Sequence, residues 1–250
     1  MAEKKNGVIQ KYYNMTEIKL CSKYYIFNEK CEGKYESYHY NGQLSIICNH
    51  IDDKLEGEYK LYHENGQLIE IYNYKNNKTE GECKEYYDDG QLKEISNYKN
   101  DLKEGEYKEY YENGQIYYIF NYKNGKSDGE CKKYDETGQL EVICNYKNGK
   151  IDGEYKSYHK NGQLMRIYNH KNNELEGEYK GYYDDGKIHY IYNYENGKIE
   201  GEYKSYHKNG RVYIVCNYKN DWLEGEYKTY HENGQLKEIS NYKNNKKIAN

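Results

Sequence analysis

The sequence predicts an all-β fold, an elongated single-layer antiparallel meander of about nine 24-residue β-hairpin repeats. Two observations lead to it. A glycine opens a 24-residue repeat, without insertion, at Gly33, Gly57, Gly81, Gly105, Gly129, Gly153, Gly177, Gly201 and Gly225. A second glycine follows nine residues later, as Asn-Gly or Asp-Gly in eight of the nine repeats. An unbroken period of this kind is typical of a repeat array rather than of a globular core with a pocket.

Each repeat is predicted to be one hairpin. We number its positions from the first glycine and call each position a column, so that Gly57 to Tyr74 are columns 1 to 18. Asn65-Gly66, in columns 9 and 10, is typical of a two-residue turn in which both residues have φ > 0. Tyr and Ile on either side favour strands. Such a turn sets column 3 opposite column 16, 5 opposite 14 and 7 opposite 12. A symmetric connector sets column 16 opposite column 3 of the next repeat as well.

The two faces of the predicted sheet differ. Columns 3, 7, 12, 16 and 18 carry Tyr, His, Cys and aliphatic residues, and we expect this side to be buried. The other side carries Tyr at column 6 and Ile or Val at column 15, among Glu, Lys, Gln and Asn. Aromatic pairs across strands contribute roughly 0.2–1 kcal/mol each, enough in a long ladder to hold a thin sheet. The candidate interaction surface is Tyr59, Tyr72, Tyr107, Phe120, Tyr155, Tyr168, Tyr179, Tyr192, Tyr203 and an exposed Trp222.

Residues 1–32 are predicted to form a degenerate capping repeat before the array at 33–248. Leu20, Tyr24, Lys30 and Glu32 fall in the columns that carry Leu, Tyr, Lys and Glu elsewhere. An open sheet exposes two edge strands, which a cap of this kind would protect.

These motifs resemble the MORN-type repeat, in the variant found in proteins named after the YwqK antitoxin module. The shared features are Gly-Glu-Tyr-Lys-x-Tyr, then Asn-Gly-Gln-Leu, then Asn-Tyr-Lys-Asn-Gly-Lys, as at Asn121 to Lys126. The resemblance implies an elongated single-layer sheet used in protein or membrane-proximal interactions, and it implies no defined chemistry. Similar arrays occur in giant DNA viruses and AT-rich protists, so a virion is one expected location if the chain is viral.

Charge and hydropathy exclude several classes of protein. Lys and Arg number 38 against 42 Asp and Glu, a balance without the signature of a nucleic-acid-binding protein. No apolar run approaches the roughly 20 residues of a membrane span, and no apolar stretch follows the basic start. We therefore expect an intracellular, cytoplasmic protein.

The sequence gives little indication of chemistry. Cys131 and Cys144, in columns 3 and 16 of one hairpin, are predicted to face each other as a redox pair. No CxxC motif is present, and the column 7 histidines recur too far apart to share a metal: His39, His63, His159, His207 and His231. Glu at columns 2 and 24 beside Lys is typical of a solvated, self-neutralising face. We expect no catalytic, cofactor or metal site, and no enzyme activity.

Three functions remain open. The favoured one is a non-enzymatic scaffold that binds a protein partner, or a second copy, through a tyrosine-rich sheet surface. A membrane-proximal, lipid-associated module follows from the family resemblance and the tyrosine columns, and a toxin-neutralising module follows from the resemblance alone. Trp222 is the favoured contact because tryptophan is enriched at interfaces.

Overall fold

All regular structure in the described part of this protein is β-sheet. The computed structural model describes residues 6–13 and 19–248. Within these ranges there are 25 strands, and the paired strands are antiparallel. The contacts divide the chain into two units, residues 1–126 and 127–250. The predicted fold class, an antiparallel meander of 24-residue hairpin repeats, is confirmed.

The strands follow one another as a meander in each unit. The first unit contains β1 (Gly7–Tyr12), β2 (Leu20–Phe27), β3 (Lys30–Tyr38), β4 (Leu44–Ile51), β5 (Lys54–Leu55), β6 (Gly57–Tyr62), β7 (Leu68–Lys75), β8 (Lys78–Thr79), β9 (Gly81–Tyr86), β10 (Leu92–Lys99), β11 (Leu102–Lys103), β12 (Gly105–Tyr110) and β13 (Ile116–Lys123). The short β14 (Lys126–Ser127) lies at the division. The second unit contains β15 (Gly129–Tyr134), β16 (Leu140–Lys147), β17 (Lys150–Tyr158), β18 (Leu164–Lys171), β19 (Glu174–Tyr182), β20 (Ile188–Glu195), β21 (Lys198–Tyr206), β22 (Val212–Lys219), β23 (Trp222–Tyr230), β24 (Leu236–Lys243) and β25 (Lys246–Ile248).

The hairpin turn has three residues, so the predicted two-residue turn is wrong. His63 N–H donates to Gln67 O at 2.8 Å, and Gly66 N–H donates to His63 O at 2.9 Å. Gly66 has φ = 87°, whereas Asn65 is not among the residues with positive φ. This is a type I turn followed by a left-handed glycine, the usual three-residue hairpin. Asn65 contributes its side chain instead, accepting from the Gln67 N–H at 2.9 Å.

The two-residue turn lies in the connector. Asn76 and Asn77 have φ of 53° and 67°, and they join the paired residues Lys75 and Lys78. Positive φ at both central residues defines a type I′ turn, whose twist matches that of the flanking strands. The abundance of Asn-Asn, Asn-Asp and Asn-Gly in the connectors therefore has a conformational cause.

A bulge beside the hairpin turn corrects one face assignment. Leu61 pairs with Glu70, but the next pair is Tyr62 with Leu68, which leaves Ile69 as the extra residue. Column 12 therefore lies opposite column 6, not column 7, and the leucine does not share a face with column 3. Farther from the turn the prediction is confirmed, since Tyr59 pairs with Tyr72.

The connector also preserves the predicted register between repeats. Cys144 (column 16) pairs with Tyr155 (column 3 of the next repeat), whereas closer to the turn Tyr146 pairs with Ile151. The register shifts between these pairs, and Gly153, with φ = 104°, lies within the shift. Column 1 therefore requires a glycine because the chain turns through the left-handed region at this bulge.

Side chains join each connector to the next. Glu56 accepts from the Asn76 N–H at 2.8 Å, and Asn77 accepts from the Leu55 N–H at 2.5 Å. The column 24 carboxylate makes the first of these bonds at nine connectors in the described part of the chain. The sequence suggested that the column 24 carboxylate is only a solvated charge. In the structure it also accepts a hydrogen bond from a backbone N–H at a tight turn.

The N-terminal segment has the register of a repeat. Gly7 pairs with Ile26, as column 1 pairs with column 18 in the other repeats. Tyr12 pairs with Leu20 after a bulge, as column 6 pairs with column 12. Tyr13 N–H donates to Lys19 O at 3.0 Å, which corresponds to the bond that closes the other hairpins. The strands of this hairpin begin at residue 7, and residues 14–18 lie outside the described ranges.

We predict that Gly210→Ala lowers the free energy of unfolding by about 1 kcal/mol. Gly210 has φ = 84°, and nothing lies within 4 Å of the point that an added Cβ would occupy, so the cost is one of backbone conformation alone. Urea unfolding followed by circular dichroism measures it. Gly210→Asn, which tolerates this region, should cost less. Equal losses for Ala and Asn would contradict the turn assignment.

Candidate interaction surface

One side of the sheet, which we call the tyrosine face, carries columns 3, 5, 14, 16 and 18. Directly opposed residues share a face, and columns 3 and 5 pair with 16 and 14. Every buried side chain among the described residues lies on this face, and nearly all are small. These residues are Ser22, Cys48, Cys83, Ser96, Tyr107, Cys131, Cys144, Ser157, Ser205, Cys216, Thr229 and Ser240. The larger neighbouring side chains cover the small ones, so burial occurs within a single layer.

Five tyrosines of the second unit form a continuous stack. Successive ring centroids are 4.7, 4.5, 5.0 and 5.5 Å apart, with interplanar angles of 15°, 5°, 15° and 32°. The rings belong, in order, to Tyr155, Tyr168, Tyr179, Tyr192 and Tyr203. Their spacing matches the roughly 4.8 Å between neighbouring strands, because columns 3 and 16 alternate in register across five strands. The structure therefore brings together half of the candidate residues as one aromatic row.

A glycine makes room beside this stack. A Cβ on Gly181 would lie 2.2 Å from Cζ of Tyr190, so the Tyr190 ring lies across the glycine. That ring is 6.0 Å from Tyr179 and 5.8 Å from Tyr192. The close approach widens the aromatic row at this point.

The candidate aromatics of the first unit are more scattered. Tyr59 lies opposite Tyr72, but its ring contacts Tyr74 edge-on at 5.8 Å. Tyr107 packs against Phe120 at 5.9 Å and an angle of 63°, and Tyr107 is only 9% exposed. Cys83 and Ser96 interrupt the aromatic columns between these two groups. Tyr107 is thus a packing residue rather than an accessible contact.

A row of carboxylates that was not predicted from the sequence lies on the tyrosine face of the first unit. Glu70 lies opposite Glu85, Glu85 opposite Glu94, and Glu94 opposite Glu109. Like charges directly opposite each other are destabilising. Burial and the Glu85 charge raise the pKa of Glu70. The sequence pattern that indicates this row is the presence of glutamate in columns 14 and 5 of neighbouring strands.

Neighbouring groups offset part of this repulsion. The Tyr72 hydroxyl donates to Glu85 at 2.9 Å, and the Tyr107 hydroxyl donates to Glu94 at 3.0 Å. Lys103 Nζ lies 3.0 Å from Glu94 Oε1 and 4.2 Å from the Tyr107 ring centroid. Burial and the Glu94 and Glu109 charges raise the pKa of the Tyr107 phenol, so this hydroxyl remains a donor.

Column 7 connects neighbouring hairpins. His159 Nε2 lies 3.0 Å from Tyr182 O, and the Tyr183 hydroxyl donates to Tyr206 O at 2.6 Å. His39 and His207 make the corresponding bond to the next repeat at 2.8 and 2.9 Å. A carbonyl oxygen accepts only, so the imidazole carries its proton on Nε2. His and Tyr both occur in this column because each can place a donor at the same carbonyl.

The opposite face carries neutralised charge. Lys180 Nζ lies 2.5 Å from Glu178 Oε1, and a Lys–Glu pair from columns 4 and 2 recurs in eight described repeats. Exposed pairs of this kind contribute about 0–1 kcal/mol each. The self-neutralising arrangement predicted from Glu58 and Lys60 is confirmed.

The repeat geometry agrees with a family comparison. The model of the MORN repeat variant matches residues 32–52, 55–76, 79–100, 103–124, 127–148, 151–172, 175–196, 199–220 and 223–244. The chain belongs to the MORN repeat variant family. MORN repeats are associated with scaffolds and with protein or membrane interaction, which is the level of function the family supports.

Other comparisons add little to the MORN assignment. Among curated proteins, none is significantly similar in sequence. Three crystal structures align over 94%, 95% and 96% of the chain: TcdB2-TccC3 without its hypervariable C-terminal region, TcdB2-TccC3-TEV and TcdB2-TccC3-Cdc42. Their identities are 14%, 13% and 12%, with TM-scores of 0.22, 0.19 and 0.16. The chain spans 15%, 17% and 18% of their lengths, and the likeness carries no argument.

Trp222 lies apart from the tyrosine face of its MORN repeat. It is 51% exposed and pairs with Lys219 at the connector. The next residue, Leu223, pairs with Tyr218 of the tyrosine face. Because side chains alternate along a strand, Trp222 points to the other side of the sheet. The structure does not join it to the aromatic row.

The predicted redox pair, Cys131 and Cys144, occupies columns 3 and 16 of its MORN repeat. Cys131 lies directly opposite Cys144, as the register predicts. No three His, Cys, Asp or Glu side chains in the described ranges cluster in a way that could hold a metal ion. Over the same ranges, no helix is long and apolar enough to cross a membrane.

We predict that His159→Phe lowers the free energy of unfolding by about 1 kcal/mol, because the Tyr182 carbonyl loses its donor. His159→Tyr should preserve most of the stability, since tyrosine fills this role at Tyr183. Urea unfolding of the two variants and the wild type measures the difference. A His159→Tyr variant as unstable as His159→Phe would contradict the shared donor role.

We predict that Glu70→Gln raises the free energy of unfolding at pH 7 by about 0.5 kcal/mol, because it removes one like charge from the carboxylate row. The raised pKa means that folded Glu70 binds its proton more tightly than the unfolded chain does. Its contribution should therefore grow as pH falls through the raised pKa and level off below the unfolded value of about 4.3.

Urea titrations from neutral to acidic pH provide the measurement. The free energy of unfolding should gain less on acidification in the variant than in the wild type. Glu58→Gln, which removes a carboxylate paired with Lys60 on the opposite face, is the matched control and should not raise the free energy of unfolding at pH 7. Identical pH profiles for wild type and Glu70→Gln would rule out the predicted coupling.

Proposed function

We propose that this chain is a non-enzymatic scaffold that binds a protein partner through its tyrosine face. The five-ring stack from Tyr155 to Tyr203 carries the proposal. Tyrosine combines a large apolar ring with a polar hydroxyl, and it is enriched at the cores of protein interfaces. A row of such rings along five strands suits an extended segment laid across them.

The stack is ordered before any partner arrives. Each inner ring is held between two others, and the strands beneath are fixed by hydrogen bonding. An ordered binding surface loses less conformational entropy on association than a flexible one does. Affinity can therefore come from modest contacts repeated along the row.

The opposite face is less suited to binding. Its columns 2 and 4 hold paired lysines and glutamates, whose charges are already neutralised. A partner that covered columns 2 and 4 would have to break these pairs or leave them hydrated. This difference favours the tyrosine face as the contact surface.

The row of carboxylates indicates what charge the partner should carry. In the first unit, Glu70, Glu85, Glu94 and Glu109 cross four strands of that unit's tyrosine face. Lysine or arginine side chains on the partner would relieve their mutual repulsion. The same carboxylates repel anionic lipid headgroups, which favours a protein partner over a membrane surface.

We predict that Tyr179→Ser, at the centre of the stack, weakens partner binding at least about ten-fold. The tagged full-length chain is used to capture partners from cells that naturally produce it, and bound proteins are identified by mass spectrometry. Titration of the purified partner then gives the dissociation constants. Tyr182→Ser, in column 6 on the opposite face, should bind as the wild type does. Circular dichroism and thermal unfolding confirm that both variants fold.

Two outcomes would overturn the proposal. One is equal loss of binding in folded Tyr179→Ser and Tyr182→Ser. The other is capture of no protein together with flotation on vesicles containing phosphatidylserine, which would establish the lipid-associated module. If the captured protein is a toxin that the chain neutralises, the scaffold is an antitoxin of the YwqK kind and the same variants locate its contact. Trp222→Ala tests the connector contact separately.

A further inference from the structure

Two cysteines meet at one cross-strand position of the tyrosine face. Cys131 in β15 pairs directly with Cys144 in β16. Both are free thiols, and they are only 4% and 3% exposed. Directly opposed residues of an antiparallel pair have Cα atoms about 4.5–5.5 Å apart. That separation lies within the range of about 4.4–6.8 Å that a disulfide spans.

The other buried cysteines have different cross-strand partners within their hairpins. Cys48 pairs with Tyr35, Cys216 with Tyr203, and Cys83 with Ser96. Cys83 also directs its thiol at Gly81 O, 3.8 Å away. Among these buried cysteines of the described ranges, Cys131 and Cys144 are thus the two that lie opposite each other within a hairpin. Cys83 lies in the same column as Cys131 without an opposing thiol, so it serves as a matched control.

We propose that Cys131 and Cys144 are a redox modification site, which a hydroperoxide converts to an intramolecular disulfide. The Cys144 sulfur attacks one peroxide oxygen and the O–O bond breaks. Water departs, and Cys144 becomes a sulfenic acid. The Cys131 sulfur then attacks the sulfenic sulfur, the S–O bond breaks, and a second water leaves. Two thiols and one hydrogen peroxide become one disulfide and two waters.

Interaction between the thiols supports this order. The hydrogen bond with Cys144, together with burial, raises the pKa of Cys131. The same bond lowers the pKa of Cys144, against the raising effect of burial. Cys144 is thus the better first nucleophile because the thiolate is the reactive form. Local opening of the strands admits a small oxidant.

The site adjoins the aromatic row. Cys144 also pairs, on its other side, with Tyr155, the first ring of the stack. A disulfide would fix β15 to β16 at the strand that precedes this ring. The modification is independent of the proposed partner, and its formation can be measured on the purified chain alone.

The test is oxidation of the full-length, folded chain with hydrogen peroxide, followed by unfolding, alkylation of free thiols and peptide mapping. The chain has seven cysteines, and we expect two to become protected and the peptides carrying Cys131 and Cys144 to be linked. Dithiothreitol should restore both thiols. The oxidised protein should unfold at a higher temperature than the reduced one, because the cross-link restricts the unfolded chain.

Variants locate the bond. Cys83→Ser should form the same linked peptides, whereas Cys144→Ser should leave Cys131 alkylatable. The wild-type peptide map alone decides the matter if a variant fails to fold. Seven alkylatable thiols after oxidation, a Cys31–Cys48 bond, cross-links between chains, or over-oxidation of Cys144 without a link would each overturn the proposal.

Discussion

The constant register between neighbouring strands is the constraint on which the rest of this structure depends. Two different turns maintain it: a type I turn with a left-handed glycine in each hairpin of the array at 33–248, and a type I′ turn in each connector of the described ranges. Bulges beside both turns absorb the residues that would otherwise displace the pairing. Columns 3 and 16 therefore meet within each hairpin of the array at 33–248, and each choice of side chain in them is repeated along the sheet.

Burial in a single layer follows from this register. A sheet without a second layer cannot cover large side chains, so only small residues between larger neighbours are fully enclosed. Cys83 and Ser240 are each 1% exposed, whereas the tyrosines around them remain half-buried. The apolar stabilisation comes from rings packed side by side along the strands, which is why tyrosine, with an apolar ring and a polar tip, dominates the composition.

Much of the fold could be predicted because period and turn chemistry are local properties. The pairing of Tyr59 with Tyr72 followed from a hairpin centred near Asn65-Gly66, even though the turn type was wrong. Asn-Gly is compatible with both turn types, and the choice depends on hydrogen bonds that no residue type specifies. The one-residue bulge then moved Leu68 to the other face. The role of Glu56 also could not be predicted, since its partner lies 20 residues away.

The bonds between successive connectors link positions 20 and 22 residues apart, each joining a repeat to the next one. Removing or adding one whole 24-residue unit recreates the bond to the column 24 carboxylate with the same donor and acceptor types. Removing a fraction of a unit breaks such bonds at two turns at once. The array is therefore built so that its length can change in whole units while its surface chemistry is copied or lost a pair of strands at a time.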